Sequence, residues 1–195
     1  AEGLIELDFP ATPPAPLKDD SAPTKEEIAL ALRLPEELID VIGASDDLLV
    51  VVPDAAIVKA ADPDLALIAR MPFRGVIVSA ADGSHPFHFS SRFFAPTIGI
   101  AEDSVTGSAH CTLAPYWSAV LGKRLMRAQQ LSERTGEIEV ELDGRVDDED
   151  AGSNTETSAT SSTPCASILN ADVDAPTSRR GAATDAITNT TASAV

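Results

Sequence analysis

"SSRFFAPTIGIAEDSVTGSAHCTLAPYWSAVLGK", residues 90–123, changes its hydrophobic period halfway along. On the near side, Phe87, Phe89, Ser91 and Phe93 fall on one face of an extended chain, with His88, Ser90 and Arg92 on the other, which predicts a strand. On the far side, Leu113, Trp117, Val120 and Leu121 recur at helical spacing, and Gly122-Lys123 reads as a stop signal. The helix carries few polar residues, so it is predicted to be buried nearly all round, a central helix wrapped by sheet. Pro115 conflicts with this, since inside a helix it removes a hydrogen bond at a cost of roughly 3 kcal/mol; a kink or a late start is expected.

Where the two periods meet lies "AEDSVTGSAH", residues 101–110. A helix N-terminus offers backbone N–H groups and partial positive charge, which suits a carboxylate or phosphate. Gly107 allows close approach of that backbone, Thr106 and Ser108 offer hydroxyls, and Asp103 is placed to carry a proton or to orient a group that does. The same residues also make sense as an ordinary helix start, with Ser104 or Thr106 as the cap and Asp103 favourable to the dipole. On spacing alone both readings stand. His110 falls one turn into the helix, where a core histidine is the simpler reading. Asp82, His85 and His88 have a spacing that could hold a metal, but they flank an Asp-Gly turn, and turn chemistry is the plainer account. No metal site is predicted. Arg92, opposite the phenylalanines, is predicted to be a structural ion-pair partner.

Outward from this stretch, "RGVIVSA" and "DDLLVVV" read as buried strands, and the "ADGS" turn joins the first of these to the phenylalanine strand as a hairpin. "PDAAIVKAADPDLALIARM" reads as one or two helical pieces with Asp62 as N-cap. Thr24 and Glu27 form a capping box ahead of "IALALRL". "GLIELDFP" has strand character, followed by a proline-rich crossover. "GEIEVELDGRV" alternates with Ile138, Val140 and Leu142 inward, and Asp143-Gly144 predicts a hairpin turn whose partner strand then fails after "RV". Residues 147–195 are more than half Ala, Ser and Thr and are predicted to be disordered, leaving an exposed sheet edge.

A net charge of −17 in a chain of 195 residues argues against binding nucleic acid. No apolar run approaches the roughly 18 residues of a membrane span, and no signal peptide is visible, so no membrane partner is predicted. Cys111 and Cys165 have neither disulfide-framework nor zinc spacing; a reducing, cytoplasmic setting is predicted.

The block from "SSRFFAPTIGIAEDSVTGSAH" through "LAPYW", "LGK", "QLSERTG" and "GRV" resembles the phenazine-biosynthesis-like (PhzF-like) isomerase family, whose members show R-F-F-A-P, E-D-x-V-T-G-S-A-H, L-A-P-Y-W, L-G-K and Q-x-S-x-R-x-G. "LDFPA", "DDLLVVV" and "RGVIVSA" match as well, so the resemblance runs from about Gly3 to Val146. It implies an α+β, diaminopimelate-epimerase-like fold: a curled, mostly antiparallel sheet around a central helix, in two similar domains with a cleft between. It implies that Asp103 is catalytic and that Thr106, Gly107 and Ser108 bind a small carboxylate substrate, with no cofactor and with two copies pairing as a homodimer. Related amino-acid epimerases have a catalytic cysteine where Thr106 stands, which argues against two-thiol racemisation here. The family's preceding domain, with its catalytic glutamate, has no counterpart in these residues. Residues 1–10 therefore read as a strand left from a linker, 11–146 as the second domain and 147–195 as the tail. A truncated isomerase is expected, inactive by itself. The alternative is a non-catalytic protein of the same fold that binds small anions.

Overall fold

The apolar runs predicted as buried strands divide their side chains between two cores. In the computed structural model, which describes residues 5–17, 22–143 and 165–171, nine strands form one sheet. They are β1 (Ile5–Pro10), β2 (Asp40–Ala44), β3 (Leu48–Val51), β4 (Val76–Ala81), β5 (Phe89–Ala95), β6 (Ile100–Asp103), β7 (Leu125–Gln130), β8 (Gly136–Asp143) and β9 (Cys165–Ala171). The helices are α1 (Lys25–Leu32), α2 (Ala55–Ala60), α3 (Leu65–Ile68) and α4 (Gly107–Leu121). Leu48 and Val50 of β3, Val76 and Val78 of β4, and Phe94 of β5 pack on one face with Ile28, Leu32, Val58 and Ile68 of the three short helices. Leu49, Ile77, Phe89 and Phe93 point to the other face and pack against Leu113 and Trp117 of α4, joined by Met126 and Val140. Both faces are covered, so these strands read as continuous hydrophobic runs rather than alternating ones.

The architecture is α+β, as expected, with strand order β1-β9-β8-β7-β5-β4-β3-β2. Most pairings are antiparallel; β3 with β4 and β5 with β7 are the parallel ones. The β4–β5 hairpin forms as predicted, with Val76 opposite Phe94. Ile138, Val140 and Leu142 are buried on β8, as their alternation requires. Arg92 is structural: its Nε and Nη2 donate to Glu102 at 2.6 and 2.8 Å, and its Nη1 donates to the Ala61 carbonyl at 2.6 Å, just past the end of α2.

Three expectations need correction. Asp62 is not a helix cap: Asp54 caps α2 and Asp64 caps α3, the latter accepting from the N–H groups of Ala66 and Leu67. Of the two outcomes expected at Pro115, the late start does not occur, because the helix runs from Gly107 to Leu121. Proline leaves the Cys111 carbonyl, four residues back, without its helical donor, and the Thr12 N–H supplies one at 2.9 Å. The loop after β1 thus repairs the defect that proline creates. Finally, the tail predicted to be disordered contains a strand. Cys165–Ala171 pairs with β8, Asp143 opposite Cys165, and with β1 on its other side, so β8 is not an open edge. Two strands with unpaired backbone groups recruit a segment whose composition carries little strand signal. The rest of 147–195, and Gly144 of the predicted Asp143-Gly144 turn, lie outside the described residues.

At the start of α1 the capping box forms in full: Thr24 Oγ1 accepts from the Glu27 N–H, and a Glu27 carboxylate oxygen accepts from the Thr24 N–H. Thr24→Ala removes the first of these bonds and should lower stability by about 1 kcal/mol, read as a shift of the urea midpoint at unchanged slope.

Candidate functional site

Strand β5 changes partners along its length. Phe89, Ser90 and Ser91 pair with β7, ending at Ser91 opposite Gln130; Phe93 pairs with Asp103 of β6. The C-terminal ends of β6 and β7 therefore meet along one edge of β5, and the segment leaving β6 turns there into α4. Gln130 joins the two. Its Nε2 donates to the Asp103 carbonyl at 2.8 Å and to Thr106 Oγ1 at 3.1 Å, and its Oε1 accepts from the Thr106 N–H at 2.9 Å. Ser132 Oγ donates to the Ser104 carbonyl at 2.7 Å. Gly136 lets the same hairpin close on the loop, because a Cβ there would lie 2.1 Å from Val105 Cγ2.

Of the four residues singled out at this junction, Asp103 and Thr106 are in contact, and Gly107 and Ser108 open α4 directly after them. Thr106 occupies the N-cap position of α4, yet its side chain makes no capping bond. Its hydroxyl donates instead to Asp103 Oδ2 at 2.7 Å. The capping account of the motif therefore fails, and the first turn, Gly107 and Ser108 included, has no side-chain cap. Ser108 Oγ accepts from Arg74 Nη2 at 3.0 Å, which leaves its own proton free to point elsewhere.

Arg74 was not anticipated. It follows α3 and precedes β4, and its guanidinium lies along the carboxylate of Asp47, Nε donating to Oδ1 at 2.9 Å and Nη2 to Oδ2. The bonds to Asp47, outweighing burial, hold the arginine above its ordinary pKa. Its side chain also lies over the Phe93 ring, 5.6 Å from the centroid. Gln130 was missed as well, although it opens the "QLSERTG" segment. The partners of both are far away in sequence, and only the sheet brings them together.

His110 is fully buried, its Nδ1 donating to the Thr106 carbonyl, four residues back, at 2.7 Å. Burial, opposed in part by that bond, lowers its pKa to about 4. In the unfolded chain a histidine titrates near 6.5, so the unfolded state takes up the proton first as pH falls. The stabilisation is complete above roughly pH 6.5 and is lost as pH falls towards about 4. Wild type should lose about 2 kcal/mol more than His110→Gln between pH 7 and 5, read from urea midpoints at the two pH values.

The possible metal cluster separates into turn and strand contacts. Asp82 accepts from the Ser84 N–H at 2.8 Å and from the Ser84 and Ser90 hydroxyls; although burial opposes its charge, these bonds prevail and lower its pKa. His88 Nδ1 accepts from the Arg127 N–H at 3.0 Å. Among the described residues no three His, Cys, Asp or Glu side chains gather in a metal-binding group, and no helix is long and apolar enough to cross a membrane.

A mixed α+β domain whose buried helix opens beside a carboxylate defines a class of protein, and comparison with known proteins narrows it. The family model described as phenazine biosynthesis-like protein matches residues 1–163, and the chain belongs to that family. It is 46% identical over 140 residues to an uncharacterized isomerase of Pseudomonas aeruginosa, covering 72% of this chain and 50% of that protein. It is 39% identical over 163 residues to mouse phenazine biosynthesis-like domain-containing protein 1, covering 75% of this chain and 55% of the relative. A PhzF-family crystal structure from Enterococcus faecalis superposes with a TM-score of 0.67 at 28% identity, over 87% of this chain and 55% of that one. The chain thus spans about half the length of the relatives it matches.

Proposed function

We propose that this chain provides the substrate-holding, acid/base half of an isomerase that shifts a proton on a small carboxylate without a cofactor. The observation that carries this reading is the hydroxyl of Thr106, which bonds to Asp103 instead of capping α4. An uncapped first turn suits the substrate carboxylate, held by the backbone at Gly107 and Ser108 with the Ser108 hydroxyl as an added donor. Asp103, held through Thr106, gives or takes the proton beside it. The second proton carrier is the glutamate that such isomerases carry on a preceding domain, an expectation of the resemblance. Isomerase names among the relatives support the reaction class.

The test uses the protein as its source makes it. It is incubated in heavy water with a panel of small carboxylates bearing a C–H next to a carbonyl or a double bond, and deuterium uptake is followed by NMR. Exchange at one carbon of one compound is the expected result. No exchange across the panel, together with amide shifts at Gly107 and Ser108 on adding the same compounds, would replace catalysis with simple anion binding.

A further inference from the structure

Behind the helix mouth, two buried polar atoms have no partner among the described residues: Ser91 Oγ and His110 Nε2. Both belong to the packed interface between β5 and α4. Phe89, two residues before Ser91 and on the same face of β5, has its ring centroid 6.0 Å from that of His110 and 5.7 Å from that of Trp117. Phe93, two residues after Ser91, lies beneath Arg74, which bonds Ser108 at the helix mouth. β5 therefore runs antiparallel to α4, and Ser91 falls between the level of His110 and the mouth. The neighbouring strand agrees, because Gln130 pairs with Ser91 and its side chain reaches Thr106, the residue whose carbonyl His110 holds.

Two buried groups left unsatisfied in one interface would be costly, and buried polar atoms in native proteins are nearly always bonded to protein or to an internal water. The Nδ1–H···O=C bond to Thr106 leaves Nε2 as an acceptor, and the serine hydroxyl is a donor that also accepts. We propose that a single internal water links Ser91 Oγ to His110 Nε2 and locks His110 in its neutral, Nδ1-protonated form, making His110 a positioning residue for the mouth of α4. The chain of bonds runs from β5 through the water and the imidazole to the Thr106 carbonyl. It holds the peptide preceding Gly107 from behind, while Gln130 holds the Thr106 N–H from the side.

Two-bond proton–nitrogen NMR of the 15N-labelled protein at neutral pH tests this. His110 should show a protonated Nδ1 and an unprotonated, hydrogen-bonded Nε2, and its ring protons should give a cross-relaxation peak to long-lived water. In Ser91→Ala the Nε2 resonance should shift towards that of a free acceptor, and the amide signals of Thr106, Gly107 and Ser108 should move with it. Ser91→Thr, which keeps the hydroxyl, should leave Nε2 near its wild-type position. An Nε2-protonated ring, the absence of a water peak, or an Nε2 signal indifferent to Ser91→Ala would overturn the proposal. The first two readings need only wild-type protein, so an unfolded variant does not shield it.

Discussion

In a protein that contains this chain and shows proton exchange, Asp103→Asn should lower kcat by on the order of 100-fold or more while the melting temperature hardly moves. The substitution removes the charge and the proton-carrying oxygen but keeps an oxygen able to accept the Thr106 hydroxyl, now 2.7 Å from Oδ2. Gln130 holds the Asp103 backbone carbonyl rather than its side chain, so the junction of β6, β7 and α4 keeps its shape. KM should change little, because substrate binding is assigned to the backbone and hydroxyl of the first turn of α4. A drop in kcat/KM through KM alone would make Asp103 a binding group and not a proton carrier. Unchanged kcat would remove it from the reaction.

How much of this site can be read from the sequence follows from how local its parts are. Asp103, Thr106, Gly107 and Ser108 lie within six consecutive residues, and a glycine and two hydroxyls ahead of an apolar helical period is a local signal. Spacing could not say whether Thr106 caps the helix or serves Asp103, since both need a hydroxyl at the same place. That choice is made by Gln130, which bonds the Thr106 N–H from a strand 24 residues away. Asp47 and Arg74 are further still from the motif, each beside a buried strand where a single charge reads as a solvated flank. Their meeting depends on β3 and β4 pairing in parallel, with Leu48 opposite Val76. The same reasoning explains β9. Strands β3 to β5 announce themselves by apolar side chains destined for two cores, whereas Cys165–Ala171 is recruited by backbone pairing on both sides, which composition does not record.

Arg74→Met should destabilise the folded chain by about 3 kcal/mol, the low end for breaking a buried ion pair. The asymmetry of the pair sets this direction. Asp47 has a side chain only 2% exposed, whereas that of Arg74 is 34% exposed, so removing the arginine strands the member that water cannot reach. Methionine keeps an unbranched stem but removes the guanidinium that lies over Phe93, so the loss includes that cation–π contact beside the charge and hydrogen bonds. Adding Asp47→Asn should recover part of the loss, because a neutral amide is far less costly to bury unpaired than a carboxylate. Urea unfolding of the two single variants and the double variant closes the cycle. A double variant no more stable than Arg74→Met would mean that Asp47 is not held by this arginine. The same variants carry a second reading at the helix mouth: without the Nη2 donor the Ser108 hydroxyl loses the bond that turns its proton away from Arg74, so the Ser108 amide signal should move in both Arg74→Met and the double variant. Asp47→Asn alone keeps that donor and should move it least. The charge pair between β3 and β4 would then be shown to reach the first turn of α4 through one hydroxyl, a link from sheet packing to the helix end to which the proposed reaction assigns the substrate.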